Sequence, residues 1–188
     1  MEKLIFKELK KETWHSFEQL LGERGACGGC WCMSWRLGRS EFEKNKGAGN
    51  KSIMKSLADS GERIGLIAFD GEKPVGWCSV APREVFVRLK NSRVLKPVDE
   101  KPVWSVSCFF IAKDYRRQGL STELLKGVIT HCKEKGARII EAYPTEPYSN
   151  NIPAAFAWTG IPASFIKAGF IEVERRSKTR PIMRYFIK

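Results

Sequence analysis

The chain has 188 residues, 43% of them hydrophobic and 29% charged, which are the proportions of one globular domain with a full core. Its apolar runs are far too short to cross a bilayer and its first residues lack the features of a signal peptide. We therefore expect a cytoplasmic protein without a membrane partner. Lysine and arginine number 33 against 21 acidic residues, and the resulting net charge of +12 favours polyanionic ligands. Charge alone does not choose between nucleic acid, an acidic protein and a phosphate-rich cofactor.

Six cysteines in a chain without a secretion signal are expected to be reduced thiols. Three of them lie together as Cys27-x-x-Cys30-x-Cys32, a spacing that raises the hypothesis of a zinc site. Tetrahedral zinc takes four ligands, commonly in two spaced pairs, and no second pair accompanies these three. We therefore expect no metal, and a structural metal in this loop stays an alternative.

Hydrophobic periodicity and turn residues predict the elements of the first half of the chain. They are a strand over 3–9, a helix from Thr13 to Leu21 ended by Gly22, a helix over 52–58, and a β-hairpin of 64–69 and 75–80 around Asp70-Gly71. Between the first two helices, residues 22–40 are rich in glycine, cysteine and tryptophan and are predicted to form a loop or broken helix. Residues 83–102 are predicted to be a basic insertion or surface loop.

The second half is organised around one strand, one turn and one helix. The residues from Cys108 to Ile111 are apolar and β-favouring, and they precede the basic turn KDYRRQG. Apolar residues then recur every four positions from Leu120 to Cys132, which predicts an amphipathic helix that Gly136 ends. The first N–H groups of a helix have no intrahelical acceptor, so a glycine turn flanked by arginines at this point predicts a phosphate-binding site.

The remaining elements complete a mixed sheet. They are a strand over 138–143, a proline-rich aromatic connection over 144–162, a short helix over 163–168 and an antiparallel pair of strands over 170–175 and 182–187. The chain is therefore predicted to be a single α/β domain over residues 1–188.

Two stretches of this pattern resemble a known family. The turn Arg116-Arg117-Gln118-Gly119-Leu120-Ser121 is similar to Q/R-x-x-G-x-G/A, the signature of the GNAT family of acetyl-CoA-dependent N-acetyltransferases, with serine in the last place. The upstream FFIAKDYR is similar to the family's L-x-V-x-P-x-Y-R, with Lys113 in place of proline, and A-G-F stands near the end as the family has it. The resemblance implies a GNAT-like fold, in which a central, mixed, mostly antiparallel twisted sheet is flanked by helices.

The resemblance also implies that acetyl-CoA is the acetyl donor. In the family the turn binds the pyrophosphate of coenzyme A through backbone N–H groups, and the pantetheine arm lies along the strand like an added strand. The residues implied in cofactor binding are Phe109, Phe110, Ile111, Arg116, Arg117, Gln118, Gly119, Leu120 and Ser121.

The family's usual catalytic residues are absent at the matching positions. Ser107 and Cys108 stand where many members have a carboxylate, and Phe165 stands where many have a tyrosine that protonates the thiolate. We predict instead that Glu141 is the general base and Tyr143 the general acid, because period two places both on one face of the following strand. Two alternatives stay open, namely a paired Glu141 with a core Tyr143, and Cys108 as an acyl-carrying nucleophile.

The Cys-rich loop is predicted to cover the acceptor side of the cleft. Trp31, Cys32 and Trp35 are the predicted acceptor-binding residues, beside Met33, although tryptophans are as often part of the core. The later residues Tyr148, Phe156 and Trp158 are predicted to line the same cleft.

Two functions from different classes remain. The first is transfer of an acetyl group from acetyl-CoA to a primary amine of a small molecule or a protein. The second is a non-catalytic or regulatory module whose Cys-rich loop binds a metal or a partner. Nucleic acid is not an expected partner, because the basic clusters lack interleaved aromatic residues. A homodimer stays open.

Overall fold

A central β-sheet forms the framework of the computed structural model, which describes residues 4–147 and 157–188. In this part of the chain the strands are β1 (Ile5–Glu8), β2 (Gly65–Asp70), β3 (Lys73–Pro82), β4 (Trp104–Ile111), β5 (Ile139–Ala142), β6 (Ile171–Arg175) and β7 (Pro181–Phe186). Their order in the sheet is β1-β2-β3-β4-β5-β7-β6. The pair β4 and β5 is parallel and every other neighbouring pair is antiparallel, so the predicted mixed, mostly antiparallel sheet is confirmed.

Helices flank this sheet. They are α1 (Trp14–Leu21), α2 (Arg39–Lys44), α3 (Ala48–Asp59), α4 (Val87–Lys90), α5 (Leu120–Glu134) and α6 (Pro162–Lys167), with 3-10 turns at Lys11–Thr13, Arg83–Val85 and Lys113–Tyr115. None of the helices in the described ranges is long and apolar enough to cross a membrane.

Both faces of the sheet are covered. The stripe of α5, including Leu124 and Val128, packs with α6 on one face, where the side chain of Phe109 also lies. Helices α1 and α3 and the Cys-rich loop cover the other face, where Phe17 lies edge-on to Trp77 at 4.7 Å between ring centroids. Because β2 and β3 are covered on both sides, nearly all of their residues are buried.

The region 83–102 differs from its prediction as a basic insertion or surface loop. It contains α4, and its side chains Phe86, Leu89 and Leu95 are buried in a third apolar cluster beside Tyr143. The prediction missed this packing because three strand-breaking signals, at Asn91-Ser92, Pro97 and Pro102, obscured the short apolar pattern between them. The region therefore belongs to the core around the end of β5.

Two features of β4 position the candidate site. Ser79 lies opposite Cys108 and Val80 lies opposite Val106, so Ser107 is an extra residue that forms a β-bulge. On its other side β4 pairs with β5 over only three residues, the last pair being Val106 and Ala142, whereas β4 itself continues to Ile111. The two parallel strands therefore part just after the bulge and leave an opening between them.

Candidate active site

The predicted anion turn is formed by the residues between the 3-10 turn and α5. Gly119 has φ 82°, a left-handed conformation that glycine adopts without strain, and α5 starts directly after it. The Arg116 side chain donates from Nε to the Ile111 carbonyl at 3.0 Å, and Gln118 donates from Nε2 to the Asp114 carbonyl at 2.6 Å. The turn is thereby fixed against β4, and the first N–H groups of α5, at Leu120 and Ser121, have no carbonyl four residues earlier within the helix. This exposed, basic helix start fits a phosphate group.

Ser121 joins the two helices on this side of the sheet. Its Oγ lies 3.0 Å from Oγ of Ser164 in α6. The serine that departs from the family signature thus has a hydrogen-bond partner, and it holds the start of α6 beside the start of α5.

The backbone of β4 alternates between its two neighbours. Ala112 N–H donates to the Val75 carbonyl in β3, and by alternation the backbone of Phe110 also faces β3. Phe109 and Ile111 therefore face the opening between β4 and β5. Of the three residues predicted to hold the pantetheine arm, these two have the required orientation, and the prediction for the backbone of Phe110 is not supported by this geometry.

The opening contains a segment of the chain itself. Phe109 N–H donates to the Trp158 carbonyl at 2.6 Å, and Thr145 N–H donates to the Gly160 carbonyl at 2.9 Å. Thr159 accepts from Arg180 Nη1 at 2.9 Å, and the same nitrogen donates to the Tyr143 carbonyl at 3.0 Å. In this conformation, the backbone donor that a strand-like ligand would use is already bonded.

Glu141 and Tyr143 lie on one face, as predicted, and are fully buried. The Tyr143 hydroxyl donates to Glu141 Oε1 at 2.6 Å and lies 2.9 Å from Ser105 Oγ. Arg83 Nη1 lies 3.2 Å from the same carboxylate oxygen and also donates to the Tyr143 hydroxyl. Arg184 Nε donates to Glu141 Oε2 at 2.8 Å. The carboxylate is therefore bonded to two guanidinium groups and a hydroxyl.

The network extends to a second carboxylate. Arg184 donates to both oxygens of Asp99, at 2.7 and 3.1 Å, and Arg83 donates to the Leu95 carbonyl at 2.6 Å. Burial, followed by the nearby Glu141 charge, raises the pKa of Tyr143 well above its ordinary value.

This geometry favours the alternative in which Glu141 is a paired, structural carboxylate. The roles of Glu141 as base and Tyr143 as acid stay predictions. No local pattern in the sequence indicates Arg83, Asp99 and Arg184 as partners, because they come from three separate segments.

The position that holds a tyrosine in many members contains a core side chain. Phe165 is fully buried, and its ring stands nearly perpendicular to Phe109 at 5.7 Å and to Phe170 at 5.2 Å between centroids. This aromatic contact fixes α6 against β4.

The predicted acceptor-side residues separate into two groups. Trp31 is 2% exposed and stacks on Trp14 at 6.2 Å between centroids, an arrangement that favours the core alternative. Trp35 lies 5.8 Å from Trp158 and 6.4 Å from Tyr143, and its buried Nε1–H has no hydrogen-bond partner within residues 4–147 and 157–188. Tyr148 and Phe156 lie outside the described residues.

The Cys-rich loop places one thiol against the sheet. Cys32 Sγ lies 3.3 Å from Cys108 Sγ and accepts from the Trp77 indole N–H at 3.1 Å. Cys27 is exposed and Cys30 is half-buried. Across the described part of the chain, no three His, Cys, Asp or Glu side chains are arranged to hold a metal ion.

The two strands part beside the β-bulge, and the basic helix start follows the end of β4. A family model of the GNAT acetyltransferases matches residues 32–157, more than half of the chain. The chain belongs to the GNAT acetyltransferase family. A search of curated proteins returned no match.

Solved structures agree with this fold. The aminoglycoside acetyltransferase AAC(6′)-Ib with paromomycin and acetyl-CoA has a TM-score of 0.58 at 14% identity, over 98% of this chain and 94% of that chain. The PaiA N-acetyltransferase of Thermoplasma acidophilum with coenzyme A has a TM-score of 0.54 at 15% identity, over 98% and 99% of the two chains. The NatC complex bound to Gag peptide and coenzyme A has a TM-score of 0.55 at 12% identity, over 99% of each. At these identities the similarity shows the fold alone.

Replacing Glu141 separates a structural carboxylate from a catalytic one. We expect Glu141→Gln to lower the free energy of unfolding by about 3 kcal/mol, because two buried guanidinium groups lose a charged partner. The matched control is Glu43→Gln, which removes an exposed pair with Lys46 and should leave the stability nearly unchanged. Urea denaturation measures both. Unchanged stability of Glu141→Gln together with loss of turnover would contradict the structural role.

Proposed function

We propose that this protein transfers the acetyl group of acetyl-CoA to a primary amine of a small molecule or a protein, by direct attack in a ternary complex. The observation that carries the proposal is the start of α5, where the left-handed Gly119 precedes helix N–H groups without intrahelical acceptors, beside the exposed Arg116 and Arg117. This arrangement suits a pyrophosphate, and it lies at one end of the strand whose backbone faces the opening.

The donor is proposed to lie along β4 from this turn. The N–H groups from Arg117 to Ser121 bind the pyrophosphate, and the backbones of Phe109 and Ile111 bond to the arm. Phe109 N–H must exchange its bond with the Trp158 carbonyl for one with the donor, so binding requires movement of the Trp158–Gly160 segment. Family membership and the coenzyme A bound in structural neighbours support this choice of donor.

The transfer step joins the amine nitrogen to the thioester carbonyl carbon and breaks the carbon–sulfur bond. The ammonium loses one proton before attack, and the nitrogen loses a second as the tetrahedral intermediate collapses and the released coenzyme A thiolate takes up a proton, so one proton is released overall. Glu141 and Tyr143 are proposed for these proton transfers because they lie on one face at the end of β5. Because Glu141 is bonded to Arg83 and Arg184, a route through water is the version that this geometry favours.

The acceptor is proposed to approach along Trp35 and Trp158. Trp35 offers an apolar face and a buried indole N–H that can donate to the acceptor. The net charge of +12 favours an acidic acceptor, whereas the aromatic wall favours an apolar one. Similar structures contain an aminoglycoside in one case and a peptide in another, so they do not decide the acceptor class. The cytoplasmic location and a homodimer stay predictions.

The second candidate, a non-catalytic or regulatory acyl-CoA-binding module, has its own support. Phe165 has no proton to give, and the backbone donor at Phe109 is bonded within the chain. Both functions predict binding of acetyl-CoA, and only the first predicts turnover.

Acetyl-CoA should raise the melting temperature of the wild-type protein by a few degrees, because it binds the folded state alone. Gly119→Asp should abolish this rise, since it places a carboxylate against the pyrophosphate. The matched control is Gly136→Asp, at the other end of α5, where glycine has a similar φ of 80° and a Cβ would also meet nothing within 4 Å. That variant should keep the rise. A wild-type protein without any shift would overturn the donor assignment.

A turnover screen decides between the two functions. Acetyl-CoA is offered with amines of differing size and charge, and release of free coenzyme A thiol is measured. We expect release with at least one amine and none with Gly119→Asp. Binding of acetyl-CoA without release for every amine, including peptides with free N-termini, would favour the regulatory module.

Two conservative substitutions test which tryptophan meets the acceptor. Trp31→Phe should lower the free energy of unfolding by about 2 kcal/mol, because it removes part of a buried stack, and should leave the acceptor KM nearly unchanged. Trp35→Phe removes an unpartnered donor, so stability should change by less than about 1 kcal/mol while the KM rises roughly tenfold. Urea denaturation and steady-state kinetics measure the two effects. A higher acceptor KM for Trp31→Phe and a loss of stability for Trp35→Phe would indicate that Trp31, and not Trp35, contacts the acceptor.

A further inference from the structure

Two cysteines that are far apart in the chain meet beneath the Cys-rich loop. Cys32 and Cys108 are separated by 76 positions, yet their sulfurs lie 3.3 Å apart. All six cysteines are free, and within the described ranges no other two thiols are in hydrogen-bond contact. Both side chains are almost completely buried, at 3% and 6% exposure. Acetyl transfer as proposed above makes no use of this pair.

Local structure holds each sulfur in place. Trp31 and Cys32 have φ of 46° and 57°, so two successive non-glycine residues are left-handed, an uncommon and strained arrangement. This turn directs Cys32 towards the sheet, where the Trp77 indole N–H donates to its sulfur at 3.1 Å. Cys108 directly follows the bulge residue Ser107, whose hydroxyl donates to Ser79 Oγ at 3.1 Å. The pair is therefore positioned from both sides.

The two thiols differ in their surroundings. The contact with Cys32, together with burial, raises the pKa of Cys108 well above the ordinary thiol value. The Cys32 sulfur accepts from the Trp77 N–H and lies within hydrogen-bond reach of the Cys108 S–H, so it has two potential donors. Cys30, two residues away, is half-buried, so this part of the loop reaches the surface.

We propose that Cys32 and Cys108 form an oxidation site for peroxide, which converts the pair into a reversible disulfide. The Cys32 thiolate attacks one oxygen of hydrogen peroxide, the O–O bond breaks, and Cys32 becomes a sulfenic acid while water forms. The Cys108 sulfur then attacks the sulfenic sulfur and displaces a second water. Two thiols and one peroxide thus give one disulfide and two waters. A disulfide needs its sulfurs about 2 Å apart, so closure requires a movement of roughly 1 Å.

The bond would tie the Cys-rich loop to β4 one residue before Phe109. It would limit the movement of the loop that carries Trp35, so acetyl transfer by the oxidised protein should be slower. This effect on transfer rests on the proposed function, whereas the bond itself does not. A protein that forms the disulfide and has no transferase activity would therefore refute only the proposed function.

Mass spectrometry of the full chain tests the bond directly. Trypsin leaves all three cysteines of the loop in one peptide, 25–36, whereas peptide 94–113 contains Cys108 alone. The Cys27→Ser/Cys30→Ser double variant therefore leaves Cys32 as the one thiol of the loop peptide. After hydrogen peroxide and digestion without reductant, we expect these two peptides to be linked, with a mass two hydrogens below their sum. Dithiothreitol should separate them.

The wild-type protein gives a second readout. Peroxide should raise its melting temperature by about 5 °C or more, because the bond closes a long loop of the unfolded chain. Cys108→Ser should lose both the linked peptide and this rise, and Cys27→Ser, at an exposed position, should keep both. If Cys108→Ser does not fold, the mass of the linked peptides from the Cys27→Ser/Cys30→Ser double variant tests the proposal by itself. Free thiols at Cys32 and Cys108 after peroxide, or wild-type links that join Cys27 or Cys30 instead, would overturn the proposal.

Discussion

Two parallel strands that pair over only three residues determine the arrangement of this molecule. Beyond Val106 and Ala142, no strand of the described residues lies on the β5 side of β4, and buried backbone groups need hydrogen-bond partners. The chain supplies them from elsewhere, with the Trp158 carbonyl at Phe109 N–H and the Arg116 guanidinium at the Ile111 carbonyl. A ligand that adds to β4 must compete with these bonds. The affinity for such a ligand therefore depends on how strong these contacts within the chain are.

Two arginines and two carboxylates form a network at the point where the strands part, with Glu141 buried and Asp99 exposed. Glu141 lies opposite Ser105 in one of the last pairs of the two strands, and its carboxylate bonds to Arg83 on one side and Arg184 on the other. Removing Glu141 would leave Arg83 without a carboxylate partner among the described residues, which is far more costly than losing an exposed pair. The network thereby ties β5 to β7 and to the region before β4. Because both oxygens of the Glu141 carboxylate are held in this way, proton transfer through water is the version proposed for it.

Features that depend on neighbouring residues were predictable from the sequence. The helix over Leu120–Glu134, its glycine start and the shared face of Glu141 and Tyr143 all follow from spacing, and the structure has them. Contacts between residues that are far apart in the chain leave no such spacing in the sequence. Arg83, Asp99 and Arg184 meet only through the fold, and the bulge that displaces Cys108 towards Cys32 depends on pairing with β3. The charged partners that determine the role of Glu141 therefore could not be predicted from local sequence patterns.

The shared fold does not identify the acceptor. Structures that superpose about equally well on this chain contain an aminoglycoside in one case and a peptide in another. In this protein the Cys-rich loop and the segment after β5 meet where Trp35 packs against Trp158, above Tyr143. That contact joins the segment that must move for donor binding to the proposed acceptor wall. The proposed donor and acceptor sites thus share the contact between these two aromatic side chains, and the proposed disulfide would restrain the loop that carries Trp35.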